Sequence, residues 1–171
     1  MKEKLLNIGC GTETYGTHFI DIHPSRKNVI KCNVDKERLP FPDNYFDKVY
    51  SKFLFEHLKN PGFAIQEMVR VLKPNGKLVL ITDNAHYIGF HLSIFGANLH
   101  TGRYQTNKIN HYALYTPFHL TNFLLDEKIK NIKWEYIDDR TRWYVKILKF
   151  IIRIFSPKLS YPHIMIKGRK R

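Results

Sequence analysis

Gly9 and Gly11 flank Cys10 at the end of an apolar run, Leu5-Leu6-Asn7-Ile8, and Asp21 lies ten positions beyond Gly11 (21 − 11). Glycine has no Cβ, so a ligand can come close to the backbone at such a turn. A carboxylate ending the next strand can accept hydrogen bonds from ribose hydroxyls. A dinucleotide loop carries a third glycine, but position 14 is Thr14. About twenty positions, not ten, separate loop from acid when a full helix intervenes. Pyrophosphate is held at such a helix N-terminus. The spacing therefore points to a nucleoside ligand without phosphate, or to glycines that only end a core strand.

Acid–base chemistry has candidates further along. His57 follows Glu56, and His86, His91, His100 and His111 lie between residues 84 and 112 with Tyr87, Tyr104 and Tyr112. Histidine titrates near neutrality and commonly moves protons in catalysis. These residues read either as general bases or as loop and packing histidines. No paired H-x-x-x-H spacing with a carboxylate is present, so no metal site is expected. Cys10 and Cys32 are the only cysteines. They suit a reducing interior rather than a disulfide scaffold, and no histidine is placed in sequence to activate Cys10.

The elements that must position these groups alternate. Leu5–Ile8, Thr17–Ile22, Val29–Asn33 and Phe46–Ser51 read as strands, with the two-proline stretch Leu39–Asp47 as a rigid loop before the fourth. Glu56–Leu58 reads as a short helical segment. From Pro61 to Leu72 the apolar residues Ala64, Ile65, Met68, Val69 and Leu72 fall on one helical face. Lys73-Pro74-Asn75-Gly76 is expected to stop that helix, and Leu78–Ile81 to form a buried fifth strand. Thr116 is a candidate N-cap, with Pro117 in the first turn of a helix through Leu125. Ile132–Ile137 and His163–Lys167 are expected to pair as a terminal antiparallel unit. Strand, helix, strand with short connections implies a parallel sheet covered on both faces.

Four segments in order carry a resemblance. They are Leu6-Asn7-Ile8-Gly9-Cys10-Gly11, Asp35 four residues before Leu39-Pro40-Phe41, Phe46-Asp47 leading to Glu56-His57-Leu58, and Glu67-Met68-Val69-Arg70-Val71-Leu72-Lys73-Pro74-Asn75-Gly76. Residues 4–83 thereby resemble the core of class I S-adenosylmethionine-dependent methyltransferases of the type 11 group, related to quinone-biosynthesis methyltransferases. The resemblance implies an α/β, three-layer Rossmann-like methyltransferase fold. Its sheet would be mostly parallel with an antiparallel last strand, and here its first crossover helix is shortened or absent.

The resemblance also implies site roles. Gly9, Cys10 and Gly11 would pass beneath the methionine part of S-adenosylmethionine. Asp21, with Ile22 beside it, would bind the ribose. Asp35 would accept from the adenine amino group, with Val34 and Leu39 against the ring. Ser51 and its neighbours would line the methionine end. The product would be S-adenosylhomocysteine. Asn7 stands where many members have Asp, and Asn75-Gly76 replaces a Gly pair.

One domain is expected over residues 1–171, with 84–112 as a substrate lid and 142–155 as an extra basic amphipathic helix. The formal charge is +13, and residues 128–171 hold 13 Lys+Arg against Glu135, Asp138 and Asp139. Arg142, Lys146, Lys149 and Arg153 form one stripe among apolar residues. That pattern fits a helix lying in a membrane interface, or a core-packed helix with one solvated face. No apolar run is long enough to span a bilayer, and strand one begins almost at the first residue, so neither a membrane span nor a signal peptide is expected. The expected location is cytoplasmic, with peripheral membrane contact through 142–155.

The leading expectation is methyl transfer to a small or lipid- or glycan-linked acceptor, with His57, His86 and His111 as candidate bases. RNA methylation is a second reading, motivated by the basic C-terminal end. Against it, Tyr50-Ser51-Lys52-Phe53 lacks the Asn/Asp-Pro-Pro-aromatic loop that methylates base amines. A non-catalytic S-adenosylmethionine-binding protein is a third.

Overall fold

The computed structural model describes residues 3–88, 93–94, 97–98, 111–138, 150 and 152–171. The strands are β1 (Leu5–Ile8), β2 (His18–Asp21), β3 (Val29–Lys31), β4 (Phe46–Lys52), β5 (Leu72–Asp83), β6 (Ser93–Ile94), β7 (Ala97–Asn98), β8 (Ile129–Ile137) and β9 (His163–Lys170). Seven of them form one sheet in the order β3-β2-β1-β4-β5-β9-β8, and β6 with β7 makes a separate two-stranded ladder. The pairs β1–β2, β1–β4, β2–β3 and β4–β5 are parallel. Strand β9 is antiparallel to both its neighbours, β5 and β8. The expected terminal antiparallel unit is therefore present, and β9 alone reverses direction.

Two longer helices sit on the sheet. Helix α1 (Pro61–Val71) and helix α2 (Pro117–Asp126) both begin with proline. Thr116 caps α2 as expected: its Oγ1 accepts from the His119 backbone N–H at 3.3 Å. The apolar side of α1 (Ala64, Ile65, Met68) and Leu120 and Leu124 of α2 pack with Leu6, Ile8, Val49, Leu78, Leu80, Ile164 and Ile166 in one core. Those strand residues share one face of the sheet, because side chains alternate along each strand and registered cross-strand partners point the same way. Both helices thus cover that face, and the expected helical cover on the other face is not seen among the described residues. The other face carries Asn7, Tyr50, Val79 and Lys167, which are cross-strand partners in sequence across β1, β4, β5 and β9.

Residues 9–17 between β1 and β2 contain no helix, as the short spacing to Asp21 predicts. The connections between β2 and β3 and between β3 and β4 also lack one. Helix α1 stops at Val71, just before Lys73–Gly76 as that punctuation predicts, but β5 starts at Leu72 rather than Leu78. Leu72 is fully buried and pairs with Phe46. The next registered pair is Lys48 with Lys77, so Lys73–Gly76 is an irregularity inside the strand, turned by Asn75 at φ +62°.

The proposed helix at 142–155 falls outside the described residues except for 150 and 152–155, which are helical. Of the proposed lid, only 84–88, the backbone of 93–94 and 97–98, and 111–112 are described. Among the described residues, no helix is long and apolar enough to cross a membrane.

Candidate active site

The C-terminal ends of β1, β2, β4 and β5 converge on one edge of the sheet, where open α/β sheets hold ligands. Gly9 (φ +69°) and Gly11 (φ +52°) both take left-handed backbone after β1. A Cβ on Gly11 would meet nothing within 4 Å, so its outer side is open space against which a ligand can lie. A Cβ on Gly9 would press to 3.1 Å from the Leu54 side chain.

The loop is held without a helix. Asp21 Oδ2 accepts the Gly11 N–H at 2.8 Å, and its Oδ1 accepts the His23 N–H at 2.8 Å. From the β2–β3 connection, Ser25 Oγ donates to the Gly11 carbonyl. Arg26 donates to the carbonyls of Thr12, at 3.1 Å, and Glu13, while its guanidinium lies 4.6 Å from the Phe19 ring centroid. One arginine thus fixes the loop backbone and covers an aromatic on the face that carries no described helix. A planar fork suits this double task. The sequence reading missed Ser25 and Arg26, because a polar pair in a short connection gives no signal until the loop folds back against it.

The remaining cofactor candidates occupy the same edge. Cys10 is buried with Phe19 and Val29. Burial first, then nearby Asp21, pushes its thiol pKa up, which disfavours the reactive thiolate, and Sγ lies 3.8 Å from the Gly11 carbonyl oxygen. Asp35 Oδ1 accepts the Asn60 N–H at 2.6 Å. Val34 and Leu39 join the main core, whereas Ile22 is 45% exposed. The Leu39 N–H donates to Glu67 Oε2 at 2.8 Å, and Arg70 donates to Glu67, Asp43 and the carbonyls of Leu39 and Phe41. This gives the Glu67-to-Gly76 motif a physical reason: two side chains on α1 lock the loop that carries Leu39. Burial alone would raise the Glu67 pKa, but the bonds from Arg70 and the Leu39 amide outweigh it and hold the carboxyl below its usual range. Ser51 is fully buried, and its Oγ donates to the Ile8 carbonyl at 3.0 Å. It clasps β4 to β1 and positions the edge through the backbone.

A second group gathers beyond β4 and β5. Phe53 takes left-handed backbone (φ +54°), which costs a bulky residue strain of order 1–3 kcal/mol and commonly marks functional turns. Its ring lies 4.6 Å from that of His163. Asp83, the last residue of β5, is buried, with Oδ1 3.1 Å from His163 Nδ1 and Oδ2 3.2 Å from His111 Nδ1. The rings of His57 and His111 are 4.4 Å apart, edge to face. Glu56 is 1% exposed, and its Oε2 accepts from Thr82 Oγ1 at 2.6 Å. Burial, reinforced by nearby Asp83, pushes the Glu56 pKa up to about 8, with the Thr82 bond opposing. At neutral pH this carboxyl is therefore mostly protonated.

The fold thus brings His57 and His111 together, although 54 positions (111 − 57) separate them. It does not tie His86 to them: the His86 N–H donates to Asn84 Oδ1, and its buried Nδ1 has no hydrogen-bond partner among the described residues. Asp83, Glu56, Thr82 and His163 were not legible as candidates. Asp83 could have been found as an acid two residues past the apolar run Leu78–Ile81, and Glu56 as the neighbour of His57. No group of three or more metal-ligating side chains occurs among the described residues.

The comparisons with known proteins agree with this architecture. A family model described as a methyltransferase domain matches residues 6–80. The chain is 30% identical over 151 residues to a ubiquinone biosynthesis O-methyltransferase of Bradyrhizobium diazoefficiens, covering 74% of this chain and 58% of that protein. It therefore spans little more than half the length of that relative. A 47-residue stretch, 28% of this chain and 19% of the relative, is 51% identical to the ubiquinone/menaquinone biosynthesis C-methyltransferase UbiE of Chromobacterium violaceum. The fold matches the crystal structure of a SAM-dependent methyltransferase from Archaeoglobus fulgidus, with a TM-score of 0.68 and 18% identity over 98% of this chain and 86% of the other. The segments that make the glycine loop, the Leu39 loop and the α1 staple are those of a methyltransferase domain, and residues 6–80 of this chain match that family.

Proposed function

We propose that the protein transfers a methyl group from S-adenosylmethionine to a small, lipid-like acceptor. The observation that carries this reading is the open, left-handed Gly11 backbone braced by Asp21, beside a sheet edge with no phosphate-binding helix. The residues present fit this cofactor. Both Asp21 oxygens each have a lone pair left after accepting one amide, which two ribose hydroxyls can use. Asp35 keeps Oδ2 for the adenine amino group, and Val34, Leu39 and Ile22 offer the apolar slot. Asn7, two residues before Gly9, keeps a buried Oδ1 without a partner among the described residues, an acceptor suited to an ammonium group. The bound cofactor would supply an electrophilic sulfonium methyl.

The protein's own work is then to align an acceptor and, for an oxygen nucleophile, to take its proton. His111 is the base in this reading. Asp83 Oδ2 lies 3.2 Å from its Nδ1, where the carboxylate would stabilise the ring once it has taken up the acceptor's proton. His57 packs on that ring and limits its rotation. Glu56, protonated at neutral pH, leaves Asp83 as the single negative charge behind the histidines. The names of the relatives, which place them in ubiquinone and menaquinone biosynthesis, support a quinone-related, lipid-like acceptor.

Calorimetric titration of S-adenosylmethionine and S-adenosylhomocysteine tests the cofactor, with NAD as control. Both should bind the wild type, and Asp21→Asn should weaken each by at least about tenfold. Failure of both to bind would remove the assignment. With a catechol-type acceptor, His111→Gln should lower kcat by roughly 10²-fold or more while leaving S-adenosylhomocysteine affinity unchanged. An unchanged kcat would remove His111 as the base.

A further inference from the structure

The sheet face opposite α1 and α2 is uncovered by any described helix, and it is basic. Register places Lys48 and Lys52 of β4, Lys77 of β5, Lys167 and Arg169 of β9 and Lys133 of β8 on it. Two acids answer them: Glu135 lies 3.1 Å from Lys167, and Glu13 lies 3.8 Å from Lys52. The Lys77 ammonium makes no hydrogen bond or ion pair among the described residues. Between the cations is a concavity of about 320 Å³ lined by Tyr15, Lys48, Tyr50, Lys77, Val79, Met165 and Lys167, with no helical residue in its wall. Parallel sheets are normally covered on both faces, because their strands are apolar on both. Here lysine stems stand over an apolar floor of Val79 and Met165, a partial cover that a partner can displace.

We propose that this face docks an acidic amphipathic helix of another protein, whose apolar side chains enter the concavity and whose carboxylates meet Lys48, Lys77 and Lys167. Charge decides the occupant. A second copy of this chain, at +13, would be repelled. Residues 99–110 and 139–149 offer no acidic cover of their own: they carry Arg103, Lys108, Arg140, Arg142, Lys146 and Lys149 against Asp139 alone. Single-stranded nucleic acid needs open aromatic faces for base stacking. Tyr15 and Tyr50 are instead engaged edge to face at 4.9 Å, and Lys48 both donates to Tyr15 Oη at 2.6 Å and lies over that ring. A membrane surface would ask for protruding apolar groups, whereas this patch is concave. A helix packs on a sheet face as the third layer of α/β folds does, and supplies both the apolar ridge and the carboxylates.

The test uses the full chain and a fluorescein-labelled helical peptide with leucines on one face and glutamates on the other. Its controls are the same peptide with lysines for glutamates, a fluorescent oligouridylate and phosphatidylglycerol vesicles. Anisotropy at low salt should show the acidic peptide binding and the lysine peptide not. K77E/K167E should weaken binding by at least about tenfold, whereas K128E/K158E, an equal charge change elsewhere, should not. Both pairs must keep S-adenosylhomocysteine affinity and melting behaviour. If charge reversal unfolds the chain, K77Q/K167Q is scored in the same way. Absence of peptide binding, equal losses in the two pairs, or tighter binding of oligouridylate or vesicles through Lys77 and Lys167 would overturn the proposal. Failure here leaves the cofactor titration untouched, because Lys48, Lys77 and Lys167 are not among the residues proposed to hold the cofactor.

Discussion

Replacing Glu56 by glutamine should stabilise the protein increasingly as pH rises. Glu56 is 1% exposed, beside Asp83, with its pKa pushed up to about 8 from an ordinary 4.5. A raised carboxyl pKa means that the folded state holds the proton more tightly than the unfolded chain. The contribution to stability is complete below the unfolded pKa, near 4.5, and is lost as pH rises through the folded value. Applying the linkage relation to those two values, folding loses about 3 to 4 kcal/mol between pH 5 and pH 8 from this group alone. Glutamine keeps an oxygen to accept from Thr82 Oγ1 and removes the titration. The assay is thermal unfolding of wild type and Glu56→Gln, followed by circular dichroism from pH 5 to pH 8. Because other titrating groups cancel in the comparison, the Tm difference in favour of the variant should widen by roughly 10 °C over that range. A difference that stays flat with pH, or a wild type that gains relative to the variant, would refute the assignment of a buried, protonated Glu56.

Arg26→Ala should weaken S-adenosylhomocysteine binding by roughly tenfold with little loss of Tm, because it frees the loop carbonyls of Thr12 and Glu13 while leaving the main core intact; calorimetry and melting check the split, and Arg26→Lys should not restore binding, since one ammonium cannot span both carbonyls from over Phe19. Arg70→Ala should cost about 3 kcal/mol in urea unfolding, because it leaves the buried Glu67 carboxylate with only Arg38, at 3.7 Å, as a counter-charge and releases the Leu39 and Phe41 carbonyls. Glu67 itself, held below its usual pKa, contributes stability that is present above the unfolded value and lost as pH falls through the folded one, so Glu67→Gln should flatten the acid limb of the wild-type stability curve.

The sequence by itself determined the sheet and the cofactor edge. Apolar runs of four or five residues bounded by turn residues read as buried strands, and a glycine pair followed by a carboxylate has few uses at a strand end. These are local properties: the period of the side chains, and the backbone freedom at Gly9 and Gly11. The ten-residue spacing from Gly11 to Asp21 excluded a crossover helix, and the structure has none. Punctuation at Lys73–Gly76 placed the helix end but not the strand start, because the pairing of Leu72 with Phe46 is a tertiary contact. Only the tertiary structure decided how the helix-free loop is held. Ser25 and Arg26 are ordinary polar residues until the β2–β3 connection folds back on residues 11–13. It alone assembled Asp83 with His57 and His111, because their proximity depends on β5 ending where the chain returns at residue 111. It also set the charge state of Glu56, since burial is a property of everything packed around a side chain and not of its neighbours in sequence. Sheet register alone gathered lysines from β4, β5, β8 and β9 onto one uncovered face.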